Sequence, residues 1–576
     1  MNLKITIGIK LINQLKSFMF NSFKIDLKLF YSLLKKVNKN ELVFLYLPIL
    51  AFISSILEVF SLAILIPITE FMFTDQSLPE KYFFLPENFN YKLLLPIILV
   101  LFFLIKTIFM SLIANYQNIK INNINSDFSI FMLRNIMGTR LLNFYKINDS
   151  EKIRLIHRES MYLGDFTFSY LKLVSNIFIA LTISALLIYT NYKIVIVILI
   201  LLSIIIIPYK ISIKKISILS QKRVEQDFVM NNNLFKTISS FLTIKLYNKL
   251  NYFIKDYQDS SQLRANYISK GSTILSVQSY FMELFLMIIV SFMLLLIYFN
   301  NLNVTSYLST IVIFIASLLK LLPNFNIISM SISQIKSLKN HLIVLQNFIN
   351  IEQKDQISLQ NKIKLNCFSD KIIFKDVSFN YGEKKILKNL NFVINKNEII
   401  AIKGESGKGK STLLNLISGF IKPSSGNILI DEININDLSN YDQFLSYSNQ
   451  NIFLTNQTLK ENIILGDKNF KKSKYQQIIK VSGLEKITKN NGDQVVVSEG
   501  QNNFSGGQLQ RIGLARTLYQ DRDIVILDEF TSSIDSLVKK KILKNLFKKD
   551  KTYIIVSHDP EVINCCNRVI DLDKNE

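Results

Sequence analysis

Tryptophan is absent from this chain, and its 576 residues include only three cysteines and three histidines. The cysteines are Cys367, Cys565 and Cys566, all in the polar C-terminal third. That odd count and spacing exclude a disulfide framework and a zinc cluster, and they point to a reducing cytosol. With no Cys in the first 366 residues, a cysteine protease built in ahead of the apolar region is also disfavoured. Acidic residues are scarce: 44 Asp and Glu against 67 Lys and Arg, a formal charge of +23. Such an excess fits a surface that meets anionic lipid or nucleic acid. It also fits an AT-rich genome, which enriches Lys, Asn and Ile and depletes Trp. Base bias accounts for most of the charge, but it does not place basic residues on one side of the apolar stretches.

Apolar residues are abundant. They make up 49% of the chain, the mean hydropathy is +0.26, and they concentrate before residue 325. Residues 1–41 are broken by Lys4, Lys10, Lys16, Lys24, Lys28, Lys35, Lys36 and Lys39. They lack a clean apolar core with a small-residue cleavage site, so a basic amphipathic lead-in on the inner leaflet is expected. Six stretches are long and apolar enough for spans: Leu42–Phe73, Leu93–Tyr116, Tyr170–Tyr189, Lys193–Tyr209, Thr273–Phe299 and Ser306–Leu322. Only Thr190-Asn191-Tyr192 separates the third from the fourth, which predicts a tight hairpin. Pro67, Pro96, Pro208 and Pro323 mark expected kinks or ends.

Lys and Arg crowd the lead-in and the inserts Gln117–Ser169 and Lys210–Ser272, whereas Thr74–Lys92 and Asn300–Thr305 are poor in them. The positive-inside rule puts the N-terminus, both inserts and the C-terminal domain in the cytoplasm. A short outer helix is expected around Pro79–Phe84. Glu58, Lys106, Glu283 and Lys320 are ionisable residues inside spans. Each lies about 15 residues, or roughly 22 Å, from the outer end of its helix, which predicts one layer. Either Lys106 and Lys320 line a cavity that receives an anionic headgroup, or Glu58 or Glu283 neutralises them and fixes helix packing.

The fold class that follows is an α-helical membrane domain, residues 42–349, with six transmembrane helices and long cytoplasmic extensions. A linker at 350–366 leads to an α/β P-loop nucleotide-binding domain at 367–576. In that domain the apolar run Ile399–Ile402 precedes Gly404-Glu405-Ser406-Gly407-Lys408-Gly409-Lys410-Ser411-Thr412, and a helical pattern follows. Strand, glycine-rich turn and helix N-terminus make a phosphate cradle. Lys410 is expected at the β- and γ-phosphates of ATP and the Ser411 hydroxyl at Mg²⁺. Tyr381 ends an earlier strand and could stack on a purine or be ordinary surface. Gln450 follows the strand-like Leu445–Ser448 and is expected near Mg²⁺ or the attacking water. The strand Ile524–Leu527 delivers Asp528 to Mg²⁺ and Glu529 beside it as a general base. His558 follows another apolar strand and could contact the γ-phosphate or be structural. Ser505-Gly506-Gly507-Gln508 opens a helix and makes a second anion-binding terminus that cannot obviously serve the same ATP.

These motifs, with Ser533-Ile534-Asp535 in the same order, resemble the nucleotide-binding domain of ABC transporters from about Ile372 to Asp571. With six preceding spans the chain resembles a half-transporter of the exporter type. The resemblance implies an ATP hydrolase coupled to transport, multi-pass in the bacterial inner membrane. It implies a homodimer in which ATP lies between the phosphate loop of one copy and the Ser505–Gln508 segment of the other. It also implies short coupling helices near Arg158–Phe166 and Phe235–Tyr247. Phe504 and Phe530 depart from the family's usual Leu and Ala. Ile53–Phe60 with Ile66-Pro67, and Lys320-Leu321-Leu322-Pro323-Asn324, are similar to the lipid-linked oligosaccharide flippase group. The implied cargo is an amphipathic, lipid-linked pyrophosphate. Alternatives are an exporter of a peptide, lipid or drug, and an ATP-gated channel. A nucleic-acid partner is not expected of a chain with these spans.

Overall fold

The computed structural model describes residues 30, 32–33, 35, 43–64, 91–299, 304–357, 363–492, 495–497, 504–547 and 550–573. Contacts divide the chain into two units, residues 1–138 with 146–352 and residues 139–145 with 353–576. The expected outer helix at Pro79–Phe84 and the Pro67 position lie outside the described residues.

The first unit is built from long helices: α1 (Val43–Ala63) and α2 (Tyr91–Gly138), then, beyond the short α3 (Leu141–Lys146), α4 (Asp149–Ile153). A π-helical segment, Arg154–Glu159, leads into α5 (Ser160–Ser239). The short α6 (Phe241–Tyr247), α7 (Leu250–Phe299) and α8 (Val304–Ile357) complete it. Much of the sequence here, such as Ile194–Ile198, is β-branched and would suit a strand in water. A lipid environment offers an open strand no partners for its amides, so the helix is the permitted state. Among the described residues, four stretches are long and apolar enough to cross a bilayer: Tyr46–Ala63, Ile97–Gly138, Asp149–Ile188 and Val312–Ile349. The expected spans Lys193–Tyr209 and Thr273–Phe299 are helical, within α5 and α7.

A straight helix of 80 residues would reach about 120 Å. α5 is not straight, because Arg158 Nη2 lies 3.2 Å from Asp227 Oδ2, and Ser150 Oγ lies 3.4 Å from Asn232 Oδ1. Both pairs fold back about a point near residue 191 or 192, where the sequence predicts its hairpin. Asp227 is buried and also receives Arg264 of α7, so one carboxylate ties both arms of α5 to the next helix. Removing one member of such a buried group costs on the order of 3–5 kcal/mol, because the remaining charges keep their desolvation penalty.

Two sequence expectations change here. Arg158–Phe166 is not a turning helix, since it lies inside the continuous run from α4 into α5. The turn is at α3, set off by the helix-ending Gly138 and by Asn148 at the start of α4. α6 does fall within Phe235–Tyr247. α8 continues through Pro323, and its helix reaches Ile357, into the stretch expected as a linker. In the lead-in, Phe30 and Leu33 are buried, with the Phe30 ring 4.4 Å from that of Phe166 on α5.

Among the described residues the second unit contains two larger sheets and one two-stranded pair. β1 (Lys371–Tyr381), β2 (Lys384–Asn395), β4 (Ser425–Ile430) and β5 (Ile433–Asn434) form an antiparallel sheet of order β2-β1-β4-β5. β3 (Ile399–Lys403), β6 (Leu445–Ser448), β9 (Ile524–Asp528), β10 (Thr552–Val556) and β11 (Arg568–Asp571) form a parallel sheet of order β11-β3-β10-β9-β6. Every residue of β9 and β10 is buried, which explains why the strands are mostly apolar, with Asp528 at the end of β9 and Thr552 at the start of β10. One core joins both sheets through Leu413, Leu414 and Leu416 of α9 (Lys410–Ile417), and Leu141 and Leu142 of α3 pack against it. A separate core gathers α10 (Leu459–Ile464), α11 (Lys472–Val481), α12 (Glu485–Asn491) and α13 (Gly506–Tyr519) around Ile463, Leu484 and Ile512, and nearby β7 (Gln457–Thr458) pairs antiparallel with β8 (Val496–Val497). α14 (Ser536–Leu546) and α15 (Pro560–Ile563) pack beside β9 and β10.

The fold-back of α5 makes a direct prediction. In a background lacking the three native cysteines, Ser150→Cys with Asn232→Cys should give an intramolecular crosslink with a short bifunctional maleimide. Gel mobility reads the result, and a continuous straight helix would give no crosslink.

Candidate nucleotide-binding site

The register of the parallel sheet assembles this site. Val556 of β10 pairs with Ile402 of β3 and with Asp528 of β9, and Ser448 of β6 pairs with Leu527. The residues that follow, Gly404, Gln450, Glu529 and His558, therefore leave one edge of the sheet together. Crevices at the carboxyl ends of parallel strands are where α/β folds bind ligands.

Residues 405–408 of the loop after β3 are exposed. Gly409 has φ +90°, and a Cβ there would lie 2.8 Å from Ile386 Cγ2, so only glycine lets the loop enter α9 against β2. Lys410 folds into its own loop. Its ammonium donates to the carbonyls of Gly404 and Glu405 and lies 3.0 Å from His558 Nε2. Asp573 accepts from the Glu405 amide at 3.0 Å and anchors the other side of the turn. Ser411 is exposed on the first turn of α9, whereas Thr412 is buried.

Across the edge, the Gln450 amide Nε2 donates to Glu529 Oε2 at 2.8 Å. Glu529 has φ +46°, a left-handed conformation, and its amide donates to Val556 O at 3.0 Å. That bend directs the chain away from the strand while Asp528 stays buried. Burial, then the neighbouring Glu529 charge, hold the Asp528 carboxyl above the usual aspartate range; the Tyr447 hydroxyl, 3.4 Å away, and Lys410 pull against this. The Ser411 hydroxyl, the Asp528 carboxylate and the Gln450 amide are hard oxygen donors suited to Mg²⁺. Among the described residues, no group of three or more His, Cys, Asp and Glu could hold a metal alone.

Ser505–Gln508 is built as a helix start. Ser505 Oγ accepts from the Gln508 amide, and Gln508 Oε1 accepts from the Ser505 amide at 2.8 Å, a reciprocal cap of α13. The expected ATP contact of Gln508 is thus, in the single chain, a contact within its own helix. A Cβ on Gly507 would lie 2.4 Å from Ser533 O, so glycine is required where α13 meets the loop after β9. This segment is joined to Ser533, and no hydrogen bond among the described residues joins it to the phosphate loop.

Sequence reading assigned no role to Gln510, Tyr447 or Asp573. Gln510 is buried; its amide donates to Glu529 O at 3.3 Å and Ser532 Oγ at 2.6 Å, and its oxygen accepts from the Ser533 amide at 2.8 Å. Its place two residues after the Ser505–Gln508 motif was the available signal; the partners of Tyr447 and Asp573 lie 81 and 168 residues away. Tyr381 ends β1 at 44% exposure, its ring edge-on to Phe379.

In the helical unit Glu58 receives both Lys106 and Lys320. Lys106 also donates to Ser61 Oγ at 2.9 Å and is buried, while the Lys320 side chain stays 44% exposed. Glu283 is exposed on α7 and is not among the ion pairs of Glu58. Glu58 is thus the carboxylate paired with the buried Lys106.

Residues 387–532 match a family model described as "ABC transporter". An export ATP-binding/permease protein of Rickettsia felis is 25% identical over 95% of each chain. The lactococcin-G-processing and transport ATP-binding protein LagD of Lactococcus lactis is 32% identical over 40% of this chain, which spans 36% of that protein's length. The structure of a bacterial Atm1-family ABC exporter with ATP bound superposes with a TM-score of 0.75 at 18% identity, over 94% of this chain and 95% of that one. The fold is that of an ABC exporter, a helical transmembrane domain followed by an α/β ATPase domain.

Glu529→Gln should lower ATP turnover by at least about 100-fold, the scale of a lost general base, while nucleotide binding persists. Gln510→Ala should lower kcat by about tenfold, with KM for ATP held within about twofold, because the positioning of Glu529 is lost and not the phosphate cradle. Steady-state ATPase assays with fluorescent-nucleotide binding check both; undiminished turnover in Glu529→Gln would remove it as the base.

Proposed function

We propose that this ABC exporter half-transporter works as a pair of identical copies, driven by ATP, in the bacterial inner membrane. Its N-terminus and ATPase domain lie in the cytoplasm. The observation that carries the reading is the meeting of Lys410, His558, Asp528 and the Gln450–Glu529 pair at one sheet edge, with the capped Ser505 helix held elsewhere by Ser533. One chain thus offers half of each of two sites, and a second copy supplies the missing half. Oligomerisation by exchange of identical surfaces is self-closing.

In this reading Gly404–Thr412 wraps the phosphates through its exposed amides and Tyr381 stacks on the base. Lys410 leaves its loop carbonyls for the β- and γ-phosphate oxygens. Ser411, Gln450 and Asp528 would hold Mg²⁺, which would supply positive charge against the phosphate oxygens. Glu529 accepts the proton of the attacking water, Gln450 orients that water, and His558 donates to a γ-phosphate oxygen. Ser505, Gly506 and Gly507 of the second copy cover the γ-phosphate with backbone amides. ATP therefore favours the closed pair, and hydrolysis releases it; a membrane cavity alternates its access by population shift.

For the cargo we favour an amphipathic, lipid-linked anion. Two lysines share one carboxylate, which leaves a unit of positive charge, and Lys320 is the exposed partner. A peptide is the second reading, favoured by the lactococcin-transporting relative.

Ser505→Arg should abolish ATP-dependent dimer trapping in the Glu529→Gln background while each chain still binds nucleotide. Size-exclusion chromatography with ATP reads this, and dimers as abundant as in the parent would remove the shared site. Lys320→Ala should reduce lipid-anion stimulation of the ATPase several-fold with basal turnover nearly unchanged. Equal stimulation in vesicle assays would remove the cation from the cargo reading.

A further inference from the structure

A cavity of about 460 Å³ opens between the returning arm of α5 and α7. Its walls include Lys215, Ile218, Leu219, Lys270, Thr273 and Ile274. Both lysines are exposed. The nearby ion pairs use the arginines, Arg158 and Arg264 on Asp227, and among the described residues neither lysine has a carboxylate partner. Between residues 210 and 223 the arm carries Lys210, Lys214, Lys215, Lys222 and Arg223 and no Asp or Glu.

The cavity also has a defined depth in the chain. Lys215 follows the apolar run ending at Tyr209 by under two helical turns, and Lys270 precedes the run starting at Thr273 by about one. Both ammonium groups thus sit where two apolar stretches give way to the basic cytoplasmic side. Free phosphate needs no apolar wall, but Ile218, Leu219 and Ile274 supply one. Basic clefts between helices at the cytoplasmic side suit the headgroups of anionic lipids.

We infer that this cleft binds one anionic phospholipid of the cytoplasmic leaflet, its phosphodiester between Lys215 and Lys270 and its glycerol region against Ile218, Leu219 and Ile274. Lysine suits this task as a flexible point charge that follows a single phosphate. The site is separate from the Glu58–Lys106–Lys320 group and from the nucleotide edge. It rests on the membrane orientation in the proposed function, but not on the pumping cycle. Its readout is lipid retention, so failure here and failure of ATP-driven transport are separately visible.

The test uses the full-length protein in mild detergent, titrated with phosphatidylglycerol or phosphatidylcholine and followed by native mass spectrometry. Wild type should retain one phosphatidylglycerol per chain, with phosphatidylcholine bound at least about tenfold more weakly. Lys215→Ser with Lys270→Ser should weaken phosphatidylglycerol retention by about thirtyfold. Lys215→Arg with Lys270→Arg should keep it, which separates charge from folding, and Lys214→Ser with Lys255→Ser should leave it unchanged. Inorganic phosphate at equal concentration should not displace the lipid; displacement would assign the site to free phosphate and overturn the inference. Equal retention by the Ser pair, equal binding of phosphatidylcholine, or no retained lipid because a second copy covers the cleft would also overturn it.

Discussion

Parallel pairing of β3, β10 and β9 is the constraint on which the rest depends. These strands are short, so their register rests on a few hydrogen bonds and on burial of nearly every side chain. Val556 opposite Ile402 and Asp528 is the row that matters. A shift along that ladder would carry His558, Lys410 and Glu529 to different heights and dissolve the site without altering any of its residues. Burial on both sheet faces resists such slippage, because it would bring Asp528 or Lys403 into the apolar row. The same burial raises the proton affinity of Asp528 and leaves it dependent on neighbouring cations.

From that edge, order passes outward through polar side chains. Glu529 bends away from the strand in a left-handed conformation, and Gln510 grips its carbonyl together with Ser532 and Ser533. Gln510 belongs to α13, whose N-terminus is the capped Ser505 segment. One buried amide thus joins Glu529, the proposed base, to the helix that the proposed dimer assigns to the other copy's nucleotide. A buried amide with several good partners is costly to leave half-satisfied, which makes this link stiff.

The helical unit follows different physics. Apolar burial does little to choose partners among helices in lipid, so buried polar contacts do more of that work. Glu58 joins α1 to α2 and α8; Asp227 joins both arms of α5 to α7; Glu159 meets His341 of α8 at 2.7 Å. Glu58 and Asp227 each have two basic partners, which offset their desolvation, and all three contacts specify which helices meet. The cleft at Lys215 and Lys270 differs because, among the described residues, its positive charges have no carboxylate partner.

Local chemistry made much of this readable in advance. The turn after β3 needs glycine and an amide-rich helix start, the apolar runs have lengths matched to a bilayer, and Thr190-Asn191-Tyr192 is too polar to continue one. Those are short-range requirements, and they stand in the sequence itself. The pairing of Glu58 with both lysines, the exclusion of Glu283, the turn at α3 rather than at Arg158, and the anchoring roles of Tyr447, Gln510 and Asp573 are not written locally. Each depends on which distant segments become neighbours, with partners from 19 to 262 residues apart. Charge and hydrogen bonding act over a few ångströms of space, so a chain declares its elements by spacing, but only their packing decides which groups are close enough to act on one another.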